Sequence, residues 1–238
     1  MTTVAIMQPY FLPYIGYFQL IHAVDVFVVY DNIKYTKKGW INRNRILKNG
    51  ADSVFTLPLQ HDSDALDVRD RAISAEFNRT KLLNQFRESY RRAPQFESVW
   101  PMLERIVMEP TTGLFDYIFQ SIVHVCEYLG ITSRMVVSSN IAIDPGLKGQ
   151  DKVIGLCRAL SAKTYLNAIG GRALYSDEAF LERGIDLRFL QSDSIEYPQF
   201  AHPFVPSLSI VDVLMFNRPE TIRGMLGRWT AVRAVPAA

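Results

Sequence analysis

Apolar positions along this chain follow two alternating rhythms, short unbroken runs and helical repeats, and their order predicts an α/β fold. Val4–Met7 is a short apolar run that gives way to Gln8-Pro9, the pattern of a buried strand ending in a turn. From Tyr14 to Ala23 apolar residues return at helical spacing. Asp25–Asp31 encloses a β-branched and aromatic core between acids, a second buried strand. Strand, turn, helix and strand in about thirty residues make a βαβ unit, whose crossover favours a parallel sheet.

Beyond this unit, Trp40–Leu47 and Val54–Leu59 read as strands with Lys48-Asn49-Gly50 as the turn between them, the outline of a hairpin. Asn78–Tyr128 is mostly helical in pattern, interrupted at Pro94, Pro101 and Pro110–Gly113, which predicts three helices. The alternation then resumes: a strand at Met135–Ser138, a helix at Asp151–Ser161, a strand at Lys163–Leu166 ending in Asn167–Gly171, and a last strand at Ile185–Leu190. A polar, aromatic and proline-rich loop covers Gln191–Pro206, a helix opens at Ser209–Asn217, and Val232–Ala238 reads as a loose tail. The expected architecture is a mainly parallel sheet begun by an N-terminal βαβ unit. One domain spans residues 1–238, with a mostly helical segment at about 78–130.

Composition narrows the function classes. Apolar residues are 48% and charged residues 21% of the chain, an ordinary globular balance. A net charge of +2 is too small for a polyanion-binding surface, so nucleic acid is not the expected partner. Cys126 and Cys157 lack CxxC spacing and read as buried reduced thiols. The start MTTVAIMQPYF has no basic region before its apolar stretch, and no run approaches the roughly twenty residues of a membrane span, which predicts a cytoplasmic protein.

Candidate chemistry gathers where an α/β sheet places ligands, beyond the carboxyl ends of its strands. The first cluster is Gln8–Tyr17, in which Gln8, Tyr10, Tyr14 and Tyr17 crowd one turn stiffened by Pro9 and Pro13. A rigid aromatic loop capping the core would leave the same pattern. The second cluster joins Asp31 to Lys34, Lys37, Lys38, Trp40 and Asn42–Arg45. In a strand, Asn42 and Asn44 share one face and Arg43 and Arg45 the other, a fork for phosphate or carboxylate beside a stacking ring. A charged edge strand that deters aggregation is the plain alternative. The third cluster is Asn167 with Gly170-Gly171, then Tyr197, Gln199 and His202, then Ser209 and Asp212, a pair that also fits helix capping. Of the histidines, His61 and His202 lie in loops and are the better general bases, whereas His22 and His124 fall in helical stretches. No HExxH, GxSxG or GxxxxGK[ST] is present.

The turn of the first cluster resembles in outline that of HIGH-type nucleotidyltransferases, with Tyr14-Ile15-Gly16-Tyr17 where that motif carries its histidines. Without them the usual stabilisation of a triphosphate leaving group is missing. A broader likeness is carried by IMQPYFLPYIGYFQLIHAVDVFVVYDN, KKGWINRNRI, TLPL, YPQF and FVPSLSIVDVLMFN, which together resemble the WbqC-like family. Positions matching its pattern are Gln8, Pro9, Tyr14, Gly16, Tyr17, Asp25, Asp31, Lys37, Trp40, Asn42, Arg43, Tyr197, Gln199, Ser209 and Asp212; His61–Ile73 follows it poorly.

That resemblance implies a role in O-antigen, other surface-polysaccharide or natural-product assembly, and the expected reaction is acyl or aminoacyl transfer forming an amide or ester on an amino-bearing small molecule such as a nucleotide-linked sugar. An attacking amine must be neutral, so a base is needed, and Asp31, His61 and Lys37 are the catalytic candidates. Arg43 and Arg45 are expected to hold a phosphate and Trp40 to stack. Gln8, Tyr10, Tyr14, Tyr17, Asn42, Asn167, Tyr197, Gln199 and Asp212 complete the expected substrate site. No cofactor is firmly implied; an acyl carrier protein, CoA or a nucleotide co-substrate stays open. A carboxylate-activating ligase or nucleotidyltransferase, and a non-catalytic scaffold of an assembly complex, are the competing readings. The expectation turns on one cavity shared by Gln8, Asp31, Asn42, Arg43 and Gln199.

Overall fold

The computed structural model describes residues 1–63 and 65–233. Eight strands run in chain order: β1 (Thr3–Met7), β2 (Val26–Val29), β3 (Arg43–Lys48), β4 (Ala51–Thr56), β5 (Arg134–Val137), β6 (Thr164–Ala168), β7 (Asp186–Ser192) and β8 (Trp229–Arg233). The α-helices are α1 (Ile15–His22), α2 (Arg79–Tyr90), α3 (Phe96–Met108), α4 (Leu114–Leu129), α5 (Gly149–Ala159), α6 (Asp177–Leu181), α7 (Ile210–Phe216) and α8 (Pro219–Leu226). None of the described helices is long and apolar enough to cross a membrane.

Six strands form one sheet in the order β5-β2-β1-β6-β7-β8, parallel except for β8. Counted along the chain, this is the strand order of a doubly wound α/β sheet, and its direction of growth reverses between β1 and β6. Both faces are covered, which is why β2 reads as an unbroken VFVV with every residue buried. Alternation splits the residues between the faces. Ala5, Phe27, Val29, Leu166 and Leu190 join the larger core beneath α1–α4, α7 and α8. Val4, Ile6, Val26, Val28, Tyr165, Leu187 and Phe189 join a second core beneath α5 and α6.

The expected hairpin is present as β3 and β4, antiparallel from Arg43↔Thr56 to Lys48↔Ala51. Asn49 (φ 52°) and Gly50 (φ 78°) both take positive φ, the requirement of a tight two-residue turn whose twist suits the strands. Trp40–Asn42 lies outside the strand, and β4 ends at Thr56 instead of reaching Leu59.

Two other expectations are corrected. Three helices do fill the middle segment, but α3 runs through Pro101 unbroken. The lost amide would have bonded the Glu97 carbonyl on the exposed first turn, where water can serve it, while Val99, Leu103, Ile106 and Val107 hold the opposite face in the core. Nor is β7 the last strand: Trp229–Arg233 pairs with it as β8, so Val232 and Arg233 belong to the sheet and not to a tail. That segment is mostly exposed and has little apolar pattern of its own; pairing with β7 defines it. The rest of the expected tail, 234–238, lies outside the described residues.

Candidate functional site

The connection from β1 to α1 carries the first cluster, and its backbone is held from two sides. Phe11 and Leu12 are buried, and Phe11 N–H donates to the Ile41 carbonyl at 2.9 Å. Asn44 Nδ2 donates to Leu12 O at 2.8 Å from β3, and Ser209 Oγ donates to the same oxygen at 2.7 Å from the start of α7. Leu12 sits at φ 45°, a left-handed conformation costing roughly 1–2 kcal/mol for an L residue. The burial of its side chain and the two donors on its carbonyl keep it there. Such strain gathers where a loop must present particular side chains. Here the presented ones are Tyr10 and Tyr14, with Tyr14 39% exposed and its ring lying over the Cα of Gly16, where any Cβ would collide.

The hairpin supplies the facing wall. The Trp40 ring is 45% exposed, and the guanidinium carbons of Arg43 and Arg45 lie 5.4 and 5.7 Å from its centroid. Arg43 is spent on the turn, donating to Gly39 O at 3.0 Å and to Lys38 O at 2.5 Å, so it fixes the segment that presents Trp40. Arg45 pairs with Asp52 at 3.2 Å and donates to Ser207 O at 3.2 Å, while its buried Nε has no partner among the described residues.

Between these walls lies a cavity of about 360 Å³ lined by Tyr10, Pro13, Tyr14, Trp40, Asn44, Arg45 and Ser207. A second cavity of about 490 Å³ shares Tyr14 and Ser207 with it and is walled by Ser192–Tyr197, Phe204 and Val213. The two adjoin as one cleft. Arg45 and Trp40 stand at one end, and Asp193 and Glu196 at the other. Burial pushes the Tyr10 and Tyr14 phenols above their usual range, so both stay protonated hydrogen-bond donors at neutral pH.

The cleft's far wall rests on Asp212, which has no solvent exposure. Its carboxylate accepts from Tyr90 OH at 2.8 Å, Tyr197 OH at 2.7 Å and Gln199 Nε2 at 2.6 Å. Burial raises the Asp212 pKa, and the three donors pull it back down. Gln199 also closes the loop on itself, accepting from Val205 N at 2.7 Å and donating to Val205 O at 3.1 Å. Ser209 caps α7 as capping predicts, but Asp212 spends its oxygens across the fold and not on the helix end.

The expected site residues therefore separate. Tyr10, Tyr14, Trp40, Arg45 and Tyr197 line the cleft. Gln8, Asp31, Asn42, Arg43 and Gln199 do not, so the single shared cavity expected for those five is replaced by a cleft with other walls. Asn42 is buried, accepting from Tyr35 OH and donating to Leu57 O, each at 2.8 Å; it braces the hairpin. Tyr17 is buried with its hydroxyl donated to Gln8 O. Asp31 is buried at the end of β2, accepting from Ser138 Oγ at 2.6 Å and Ser139 N at 2.9 Å. His61 and Lys37 are exposed and outside both cavities, as is His202, which packs on the β3–β4 turn at Gly50. Asn167 and Gln8 stand at the carboxyl edge of the sheet. Ser207 and the acids Asp193 and Glu196 complete the cleft without having been singled out, beside Pro13 and Asn44 from the first two clusters. Their only signal in the sequence was the polar character of the loop that ends at Pro206.

A model of the WbqC-like protein family matches residues 8–224, a span that contains the whole cleft. The chain is also similar to a protein of Mycobacterium tuberculosis (strain ATCC 25618 / H37Rv) named Uncharacterized protein Rv1507c. The two are 29% identical over 224 residues, covering 91% of this chain and 94% of the relative. No solved structure matches the chain.

Proposed function

The chain belongs to the WbqC-like protein family, and from that premise we propose that it is an enzyme transferring an acyl or aminoacyl group to the amine of a small molecule such as a nucleotide-linked sugar. The product is an amide, within the assembly of a surface polysaccharide or natural product. The observation that carries the reading is the exposed Trp40 ring with two guanidinium groups close by, at a cavity of small-molecule size that Tyr10 and Tyr14 also line. A planar base stacks on Trp40, and Arg45 meets its phosphate at the cost of the exposed ion pair with Asp52. The sugar extends past Tyr14 and Ser207 into the second cavity, where its amine meets the acidic end.

Calorimetric titration with UDP-glucosamine tests this directly. Binding to the native chain, weakened at least tenfold in Trp40→Ala and in Arg45→Met with melting temperatures held, is the expected result. Equal affinity in all three proteins removes the cleft as the acceptor site. No heat from any nucleotide sugar favours a scaffold instead. With binding in hand, a mass increase of the sugar on addition of an activated acyl donor identifies the reaction.

A further inference from the structure

The sheet has a second polar group of side chains at the place where its growth reverses. On the face beneath α5 and α6, β1 contributes Val4 and Ile6 and β2 contributes Val26 and Val28. The same alternation carries Gln8 and Tyr30 onto this face one step further, and the register Ile6↔Val28 sets them side by side. Tyr30 N–H donates to Met7 O at 2.8 Å, continuing the pairing. In β6, Tyr165 lies opposite Val4, so Asn167 comes level with Ile6, just inside Gln8. Three polar side chains thus crown an apolar face at the carboxyl ends of neighbouring strands, in the crevice where doubly wound sheets take ligands.

Their hydrogen bonds are unevenly spent. Asn167 is only 4% exposed; its Oδ1 accepts from Ala168 N at 2.8 Å, and its Nδ2 donates to nothing among the described residues. Gln8 Oε1 accepts from Tyr10 OH at 3.2 Å, and its Nε2 likewise has no acceptor there. Both amide nitrogens are left free to donate to a bound acceptor. Lys152, from the first turns of α5, closes the crown. Its Nζ donates to Asn32 O at 2.9 Å and Asn32 Oδ1 at 3.1 Å and lies 4.8 Å from the Tyr30 ring centroid. No carboxylate among the described residues pairs with it. Burial lowers its pKa, while the fields of Asp67 and Asp31 act the other way. Gly170 and Gly171 follow Asn167 and bring backbone without side chains to the same edge.

Unspent donors, a cation and a flat ring call for an anion attached to something planar. We propose that Gln8, Tyr30, Lys152 and Asn167 form a second ligand site, separate from the Trp40 cleft, that binds the diphosphate of a nucleotide. Gln8 Nε2 and Asn167 Nδ2 donate to phosphate oxygens, Lys152 supplies the charge, and Tyr30 packs on the ligand. Tyr10 joins the two sites, its hydroxyl on Gln8 and its ring in the wall of the cleft. A donor carried on a nucleotide and an acceptor in the cleft would meet there.

The probe is ADP, titrated by calorimetry into the full chain, alone and in the presence of saturating UDP-glucosamine. The expected result is ADP binding that persists under saturation, falls at least tenfold in Asn167→Asp and in Lys152→Met, and is unchanged in Trp40→Ala. Absence of ADP binding to the native chain overturns the site, as does full competition by UDP-glucosamine, which would place both nucleotides in one cleft. The saturation experiment needs no variant, so a misfolded substitution leaves the test intact. Loss of UDP-glucosamine binding alone would instead remove the acceptor reading and leave this site standing. Coenzyme A and ATP, titrated in parallel, tell a thioester carrier from a carboxylate-activating nucleotide.

Discussion

Tyr197 donates its phenolic hydrogen to Asp212 Oδ2 at 2.7 Å, tying the wall of the cleft to a carboxylate with no exposure to solvent. The same carboxylate takes Tyr90 from α2 and Gln199 from the loop, so one buried charge fixes three separate stretches of chain.

This charge has a pH signature. Burial raises the Asp212 pKa in the folded state above that of the unfolded chain, about 3.9 for an ordinary Asp. The unfolded chain then loses its proton first as pH rises. The contribution of Asp212 is therefore fully present below the unfolded value and is lost as pH rises through the folded value. Asp212→Asn removes that titration. The melting temperature of the native chain minus that of D212N is expected to fall between pH 4 and pH 8; a difference that is flat or grows with pH would refute the assignment.

Tyr90 bridges two partners with one oxygen, accepting from Leu47 N at 2.9 Å and donating to Asp212 Oδ1 at 2.8 Å. Tyr90→Phe keeps the ring and leaves both groups without it. Urea unfolding is expected to show a loss of about 1–3 kcal/mol. A loss within about 0.5 kcal/mol, the range of neutral surface changes, would mean that the two groups find other partners.

The hairpin turn is sensitive at Gly50, where φ is 78° and an added Cβ would lie 2.8 Å from the His202 ring. Gly50→Ala is expected to cost about 1–2 kcal/mol from backbone strain, with a further loss from the collision. Combining it with His202→Ala should recover only the second part. Thermal melts of both variants separate the two contributions, and full recovery in the double variant would show that the backbone carries no strain.

Cys126 and Cys157 are buried, and burial pushes each thiol up to about 12. Thiolates, not thiols, attack labelling reagents, so the native chain should resist modification at pH 8, and both thiols should react in denaturant. Rapid labelling of either thiol in the native chain would contradict this packing.

Local sequence determined most of the architecture. Unbroken runs such as VAIM and VFVV, helical spacing in Tyr14–Ala23 and the Asn49-Gly50 turn each carry their own conformational preference, so the βαβ start, the hairpin and the mid-chain helices could be read directly. The buried reading of both cysteines followed from their apolar neighbours. Strand β8 and the passage of α3 through Pro101 could not be read this way, because one depends on a partner strand and the other on which side of the helix faces water.

The site divided along the same line. Alternation in Asn42–Arg45 foretold that the two asparagines would share one face and the two arginines the other, and the aromatic turn after β1 marked Tyr10 and Tyr14. Only the tertiary structure decided that Asn42 and Tyr17 brace the walls while Ser207 and Arg45 form them, and that Lys152 stands beside Asn32, 120 positions away in the chain. Which face a residue points to is a matter of backbone period, written in a few neighbours. Which groups meet across a cleft depends on strand order and loop path, set by the whole core at once.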